Sequence, residues 1–134
     1  TRLLLKLKAK GVACNIFRVL ESWLGQRTAH VVVARTRSKT MVLDNMVYQS
    51  TVWGPSLWNV HYADAKVPIE LNDFVEVIFA DDLNAYRAYD HRTPNDTLIA
   101  DMKQCQADLH QWGRANQVTF DESKESMHVI GTHG

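Results

Sequence analysis

The feature that most limits what this chain can become is a nearly continuous apolar run, Phe74-Val75-Glu76-Val77-Ile78-Phe79-Ala80, that meets two aspartates, Asp81-Asp82, and resumes as Leu83 to Tyr89. Period-two β-formers on both sides of a short polar break predict strand, acidic turn, strand. Adjacent carboxylates at the tip of an apolar hairpin repel each other unless a cation lies beside them. The pair therefore suits a hard divalent ion such as Mg²⁺, which is held by one or two carboxylates plus substrate phosphates.

Other segments supply the packing surfaces. After Gly11, apolar residues at Val12, Ile16, Val19, Leu20, Trp23 and Leu24 predict a helix that Gly25 stops. From Thr28 the composition turns β-branched: His30 to Val33 and Met41 to Leu43 flank the basic stretch Arg35 to Thr40 and predict a hairpin or two short strands. Gly54-Pro55 opens a further helix that ends before Pro68. Thr93 to Asp96 carries helix-start signals, and Leu98, Met102, Cys105, Leu109 and Trp112 recur at helical spacing behind it. Gln117 to Phe120 and Met127 to Ile130 are expected as two short strands around the polar loop Asp121 to Ser126. The fold class is α+β, with antiparallel strands and an acidic hairpin packed on two or three amphipathic helices.

With 134 residues, 46% hydrophobic and 22% charged, the chain is expected to fold as a single domain or part of one. Fifteen Lys and Arg balance fifteen Asp and Glu, so no global field draws it to nucleic acid or an anionic membrane, and any such binding is local. No wholly apolar run exceeds that of Val31 to Ala34, far short of a membrane span, and no transmembrane segment or leader is expected. Cys14 and Cys105 lack C-x-x-C spacing and are expected as free, packed thiols, as in an intracellular, reducing compartment. The six histidines have no zinc-ligand spacing.

The order of motifs resembles the palm of a reverse transcriptase of the non-LTR retrotransposon kind, LINE or jockey-like. Leu5 to Val12 followed by Leu20-Glu21-Ser22-Trp23-Leu24-Gly25-Gln26-Arg27 is similar to the helix after the family's first catalytic aspartate. Gln49-Ser50-Thr51-Val52-Trp53-Gly54-Pro55-Ser56-Leu57-Trp58-Asn59 resembles its Gln-Gly-Ser-x-x-Gly-Pro-x-Leu-(Phe/Trp)-Asn box, and Phe79-Ala80-Asp81-Asp82 its Phe-Ala-Asp-Asp box. Trp112 through Phe120 to Lys124 is similar to the Trp-x-x-x-Asn-x-Leu-x-x-Asn-x-x-Lys segment that follows.

The resemblance implies an RNA-directed DNA polymerase, a nucleotidyltransferase that uses Mg²⁺, deoxynucleoside triphosphates and nucleic acid. Asp81 would ligate the metals with Asp82 as its acidic neighbour, Lys124 would face the leaving pyrophosphate, and Gln49, Ser50, Gly54 and Pro55 would lie against nucleotide or template. The family's first metal aspartate precedes the helix with which this sequence opens, so the chain is expected to be a partial palm, without that aspartate, fingers or thumb, and inactive alone. Ser50 stands where the family has Gly, Tyr48 where it has Pro and Asp121 where it has Asn, which points to a decayed or repurposed copy. Two other uses stand beside it. One is a non-catalytic structural subunit whose exposed apolar faces a protein partner covers; the other is a single-strand nucleic-acid binder using Arg35, Arg37 and Lys39.

Overall fold

The computed structural model describes residues 2–25, 27–43 and 51–131. It is α+β, and its strands form three separate two-stranded antiparallel ladders, not one sheet. The chain divides into two compact units, residues 1–62 and 63–134.

In the first unit, α1 (Arg2–Ala9) lays Leu3 and Leu7 against Leu20 of α2 (Cys14–Trp23) and Leu57 of α3 (Gly54–Tyr62). Gly11, at φ +73°, ends α1: the Val12 amide donates to the Leu7 carbonyl and the Gly11 amide to that of Lys8, which satisfies two carbonyls the helix leaves open. Lys6 Nζ donates to the carbonyl of His61 at 2.6 Å, a cation on the negative end of α3. The predicted stripe on α2 is only partly used. Leu20 is buried and Val12, Phe17, Trp23 and Leu24 pack around it, while Ile16 and Val19 face solvent. A ten-residue helix that packs on one neighbour buries one narrow row. Cys14 is exposed, against the expectation of a packed thiol, because it opens α2 away from that row; Cys105 is buried as expected.

Between α2 and α3 runs a hairpin. β1 (Arg27–Ala29) pairs with β4 (Met41–Leu43), and β2 (Val32–Val33) with β3 (Thr36–Arg37). Ala34 and Arg35 form its two-residue turn, both at positive φ, 47° and 68°. Within the predicted loop Arg35 to Thr40, only Thr36 and Arg37 are strand. Ser38 exchanges bonds with Val31, amide to carbonyl at 2.9 Å and hydroxyl from the Val31 amide at 2.9 Å, which leaves Lys39 and Thr40 opposite His30 as a bulge.

In the second unit, α4 (Lys66–Glu70) and α5 (Asn95–Asn116) enclose Ile69, Phe74 and Cys105, with Leu83, Met102 and Leu109 packed around them. Pro68 is tolerated inside α4 because, as its third residue, its missing N–H would have had no partner within the helix. The chain leaves α4 through Asp73 at φ 59°, with the Phe74 amide on the Ile69 carbonyl and the Asp73 amide on that of Glu70, the device that ends α1 repeated without glycine. β5 (Val75–Phe79) then pairs with β6 (Asp82–Tyr86).

The two strands expected at Gln117 to Phe120 and Met127 to Ile130 are not formed. Residues 117–131 are irregular apart from a 3₁₀ turn, Glu122–Lys124. The segment is instead used one residue at a time. Val118 donates to the Gly113 carbonyl, closing the end of α5, and Phe120 packs on Gly113 and on the His110 ring. Met127, Val129 and Ile130 stay exposed, so no apolar face forms to fix a strand register.

Candidate functional site

The acidic doublet lies at the tip of the β5–β6 hairpin. Phe79 pairs with Asp82, so Ala80 and Asp81 alone form the turn, with Ala80 at φ 56°. Asp82 is therefore the first residue of β6 and not a turn residue, and shares the face of its cross-strand partner Phe79. Both aspartates are exposed, and among the described residues neither has an ion pair or a side-chain hydrogen bond.

Alternation assigns the two faces of the hairpin. Leu83 and Ile78 share one, and Leu83 reaches the core through it. Val75, Val77, Phe79, Tyr86 and Asp82 share the other, and all five are exposed, Phe79 at 79%. The hairpin is anchored at its base. Arg87 Nη1 donates to Asp101 Oδ2 at 2.9 Å and to the Asn72 carbonyl at 3.2 Å, and Tyr89 OH donates to the same Asp101 oxygen at 3.2 Å. Burial, then the bond to Asp101, pushes the Tyr89 phenol up. Asn72 also donates to Asp108 at 2.9 Å, and together with Gln104 holds that carboxyl below the usual range. Burial raises the Cys105 thiol, which suits packing and not nucleophilic chemistry. The bonds of Arg87, Tyr89 and Asn72 to α5 were not visible in the sequence, since their partners lie 12 to 36 residues apart.

The remaining candidates are dispersed. Lys124 ends the 3₁₀ turn with its side chain 82% exposed, and its ion pair, at 3.9 Å, is to Asp121, not to Asp81 or Asp82. Asp121 caps that turn by accepting from the Ser123 amide and hydroxyl, which lowers its carboxyl. Gly54 is buried and Pro55 exposed in the first turn of α3, in the other unit. Gln49 and Ser50, with Tyr48, fall outside the described residues.

A cleft of about 470 Å³ that the sequence did not announce runs along α5, lined by Lys103, Gln106, His110 and Arg114 and by Glu122 and Glu125. Glu125 accepts from Gln106 at 2.5 Å and lies 2.8 Å from His110 Nε2, so its carboxylate pins the C-terminal segment to the helix. Trp112, expected as core, is half-buried on the same helix.

Among the described residues no three His, Cys, Asp or Glu side chains are grouped to hold a metal, and no helix is long and apolar enough to cross a membrane. No family model, curated protein or solved structure matches the chain.

Proposed function

We propose that this chain is a palm-derived piece of an RNA-directed DNA polymerase of the non-LTR retrotransposon kind, and that it does not polymerise by itself. The observation that carries the reading is the Phe79-Ala80-Asp81-Asp82 tip: a two-residue turn exposes the Asp81 carboxylate, and the first residue of β6 exposes that of Asp82 beside it, at the end of an apolar hairpin. Hard oxygen donors of this kind fit Mg²⁺ in chemistry but fall short in number, since such an ion needs further ligands from substrate phosphates or another carboxylate. Asp81, with Asp82 beside it, would hold the ion, which when bound neutralises charge on the transferring phosphate. Lys124 belongs to the leaving-group side of this reading, and Gln49, Ser50, Gly54 and Pro55 to the nucleotide and template side. Holding a primer end in line needs more than one acidic tip, hence the proposed inactivity of the chain alone.

The test is a graft. Residues 75–86, placed in an active jockey-like reverse transcriptase in exchange for its own acidic hairpin, are expected to retain RNA-templated primer extension with Mg²⁺. A soluble chimera of unchanged melting temperature that does not extend contradicts the reading. Extension by the isolated 134-residue chain contradicts its second half.

A second use is favoured by one further observation. Val75, Val77, Phe79 and Tyr86 are exposed on one hairpin face beside Asp82 and Asn84, and apolar side chains grouped in this way on an open two-stranded ladder form a surface that proteins ordinarily cover. A structural subunit, with that face held by a protein partner, follows. The isolated chain is then expected to self-associate, and less so as Phe79→Lys; a monodisperse wild type contradicts it.

A further inference from the structure

The two hairpins carry opposite charge. Residues 28–43 hold Arg35, Arg37 and Lys39 and no Asp or Glu, whereas residues 75–86 hold Glu76, Asp81 and Asp82 and no Lys or Arg. Among the described residues Arg35, Arg37, Lys39, Asp81 and Asp82 are all exposed, and none of them has an ion pair. Each hairpin also exposes apolar side chains, Val31, Val32 and Val33 in the first and Val77, Phe79 and Tyr86 in the second. Strand pairing sets the two kinds of group side by side. Val32 stands across from Arg37 on one face of the first ladder, and Phe79 across from Asp82 on one face of the second. A surface that covers the second hairpin must therefore bring apolar contact and positive charge together, and the first hairpin has both.

We infer that the chain binds a second copy of itself through these surfaces, the cationic hairpin of one copy seated on the acidic hairpin face of the next. The inference rests on the structural-subunit reading, for which it names the partner, and does not need the polymerase reading. The contact joins two different surfaces, so it either closes by reciprocal exchange within a pair or runs on from copy to copy. Burial of the valines against Phe79 and its neighbours supplies the attraction, while the charges select the partner surface and fix its orientation. A polyanion or an anionic lipid surface does not fit the second hairpin, because Asp81 and Asp82 repel it.

The experiment is sedimentation velocity of the full chain over a concentration series, at low and at high salt, with two charge-reversed variants. One carries Arg35→Glu, Arg37→Glu and Lys39→Glu, the other Asp81→Lys and Asp82→Lys. The wild type is expected to self-associate and to dissociate as salt rises, and each variant alone to associate about tenfold more weakly at low salt. An equimolar mixture of the two variants is expected to recover a complex, because each keeps the surface that the other has lost; recovery also shows that both are folded. Wild-type association that neither reversal weakens, or that strengthens with salt, overturns the inference and leaves the structural-subunit reading standing with a different partner surface. So does a mixture that stays monomeric while both variants keep the wild-type circular dichroism. Should a reversal unfold the chain, the neutral set Arg35→Gln, Arg37→Gln and Lys39→Gln answers the same question, and unchanged association there overturns the inference. A wild type that is monomeric at every concentration overturns the inference and the structural-subunit reading together.

Discussion

Both hairpins, Arg27–Leu43 and Val75–Tyr86, turn through two residues, and both place non-glycine residues at positive φ to do so. They differ in what holds them. The second grows out of a core: Phe74 precedes it buried against Ile69 and Cys105, Leu83 reaches the same cluster, and Arg87 and Tyr89 bind it to Asp101 of α5. The first has no buried residue; Val31 and Ser38 bond within it, and Arg27 sits over the Trp23 ring. One is a rigidly mounted acidic tip and the other a loosely mounted cationic arm. A metal-ligating tip, as proposed for Asp81, needs a position fixed to fractions of an ångström, which the second mounting suits better than the first.

The largest expected effect that sharpens this contrast is Phe74→Ala, which should destabilise the second unit by about 3–5 kcal/mol in urea unfolding. Val32→Ala or Val33→Ala in the arm should stay within about 0.5 kcal/mol. Equal costs at the two places would erase the distinction. Next, Arg87→Ala removes a bridge whose side chains are 28% and 31% exposed, and should cost about 1–2 kcal/mol, with earlier amide exchange in β6 than in α5.

Relieving the turns comes third. Ala80→Gly should stabilise the second unit by about 0.5–1 kcal/mol, visible as a higher melting temperature. Ala34→Gly should slow exchange of the arm's own amides and leave the melting temperature where it was, since the turn lies among exposed residues.

The smallest effect is on acid stability. The Asp108 carboxyl is depressed by its bonds from Asn72 and Gln104, so its contribution is present above the unfolded carboxylate value and lost as pH falls through the folded one, below about pH 4. An NMR titration should place the Asp108 midpoint below the ordinary carboxylate range, and Asn72→Ala should return it toward that range.

The sequence revealed elements whose signals are local. The apolar run into Asp81 gave a hairpin, the 98-102-105-109 spacing gave α5, and Gly54-Pro55 gave the start of α3. It misled where one residue type serves two purposes. Val118, Phe120, Met127 and Val129 have strand composition, but Val118 and Phe120 close the end of α5 and the others find no partner strand. The stripe on α2 overstated burial because periodicity reports an amphipathic helix and not how many neighbours it meets. Of the candidate site, the turn Asp81 was legible from adjacent residues. The Arg87–Asp101–Tyr89 anchor was not, because it depends on chain segments that only folding brings together.

The most direct measurement is single-turnover, RNA-templated primer extension by the polymerase chimera that carries residues 75–86. With Asp81→Asn the rate should fall to background while binding of template and primer is unchanged, and with Asp82→Asn it should fall less. A chimera in which Asp81→Asn extends as fast as the unsubstituted graft would contradict the metal-ligating role of the acidic tip, and with it the polymerase reading.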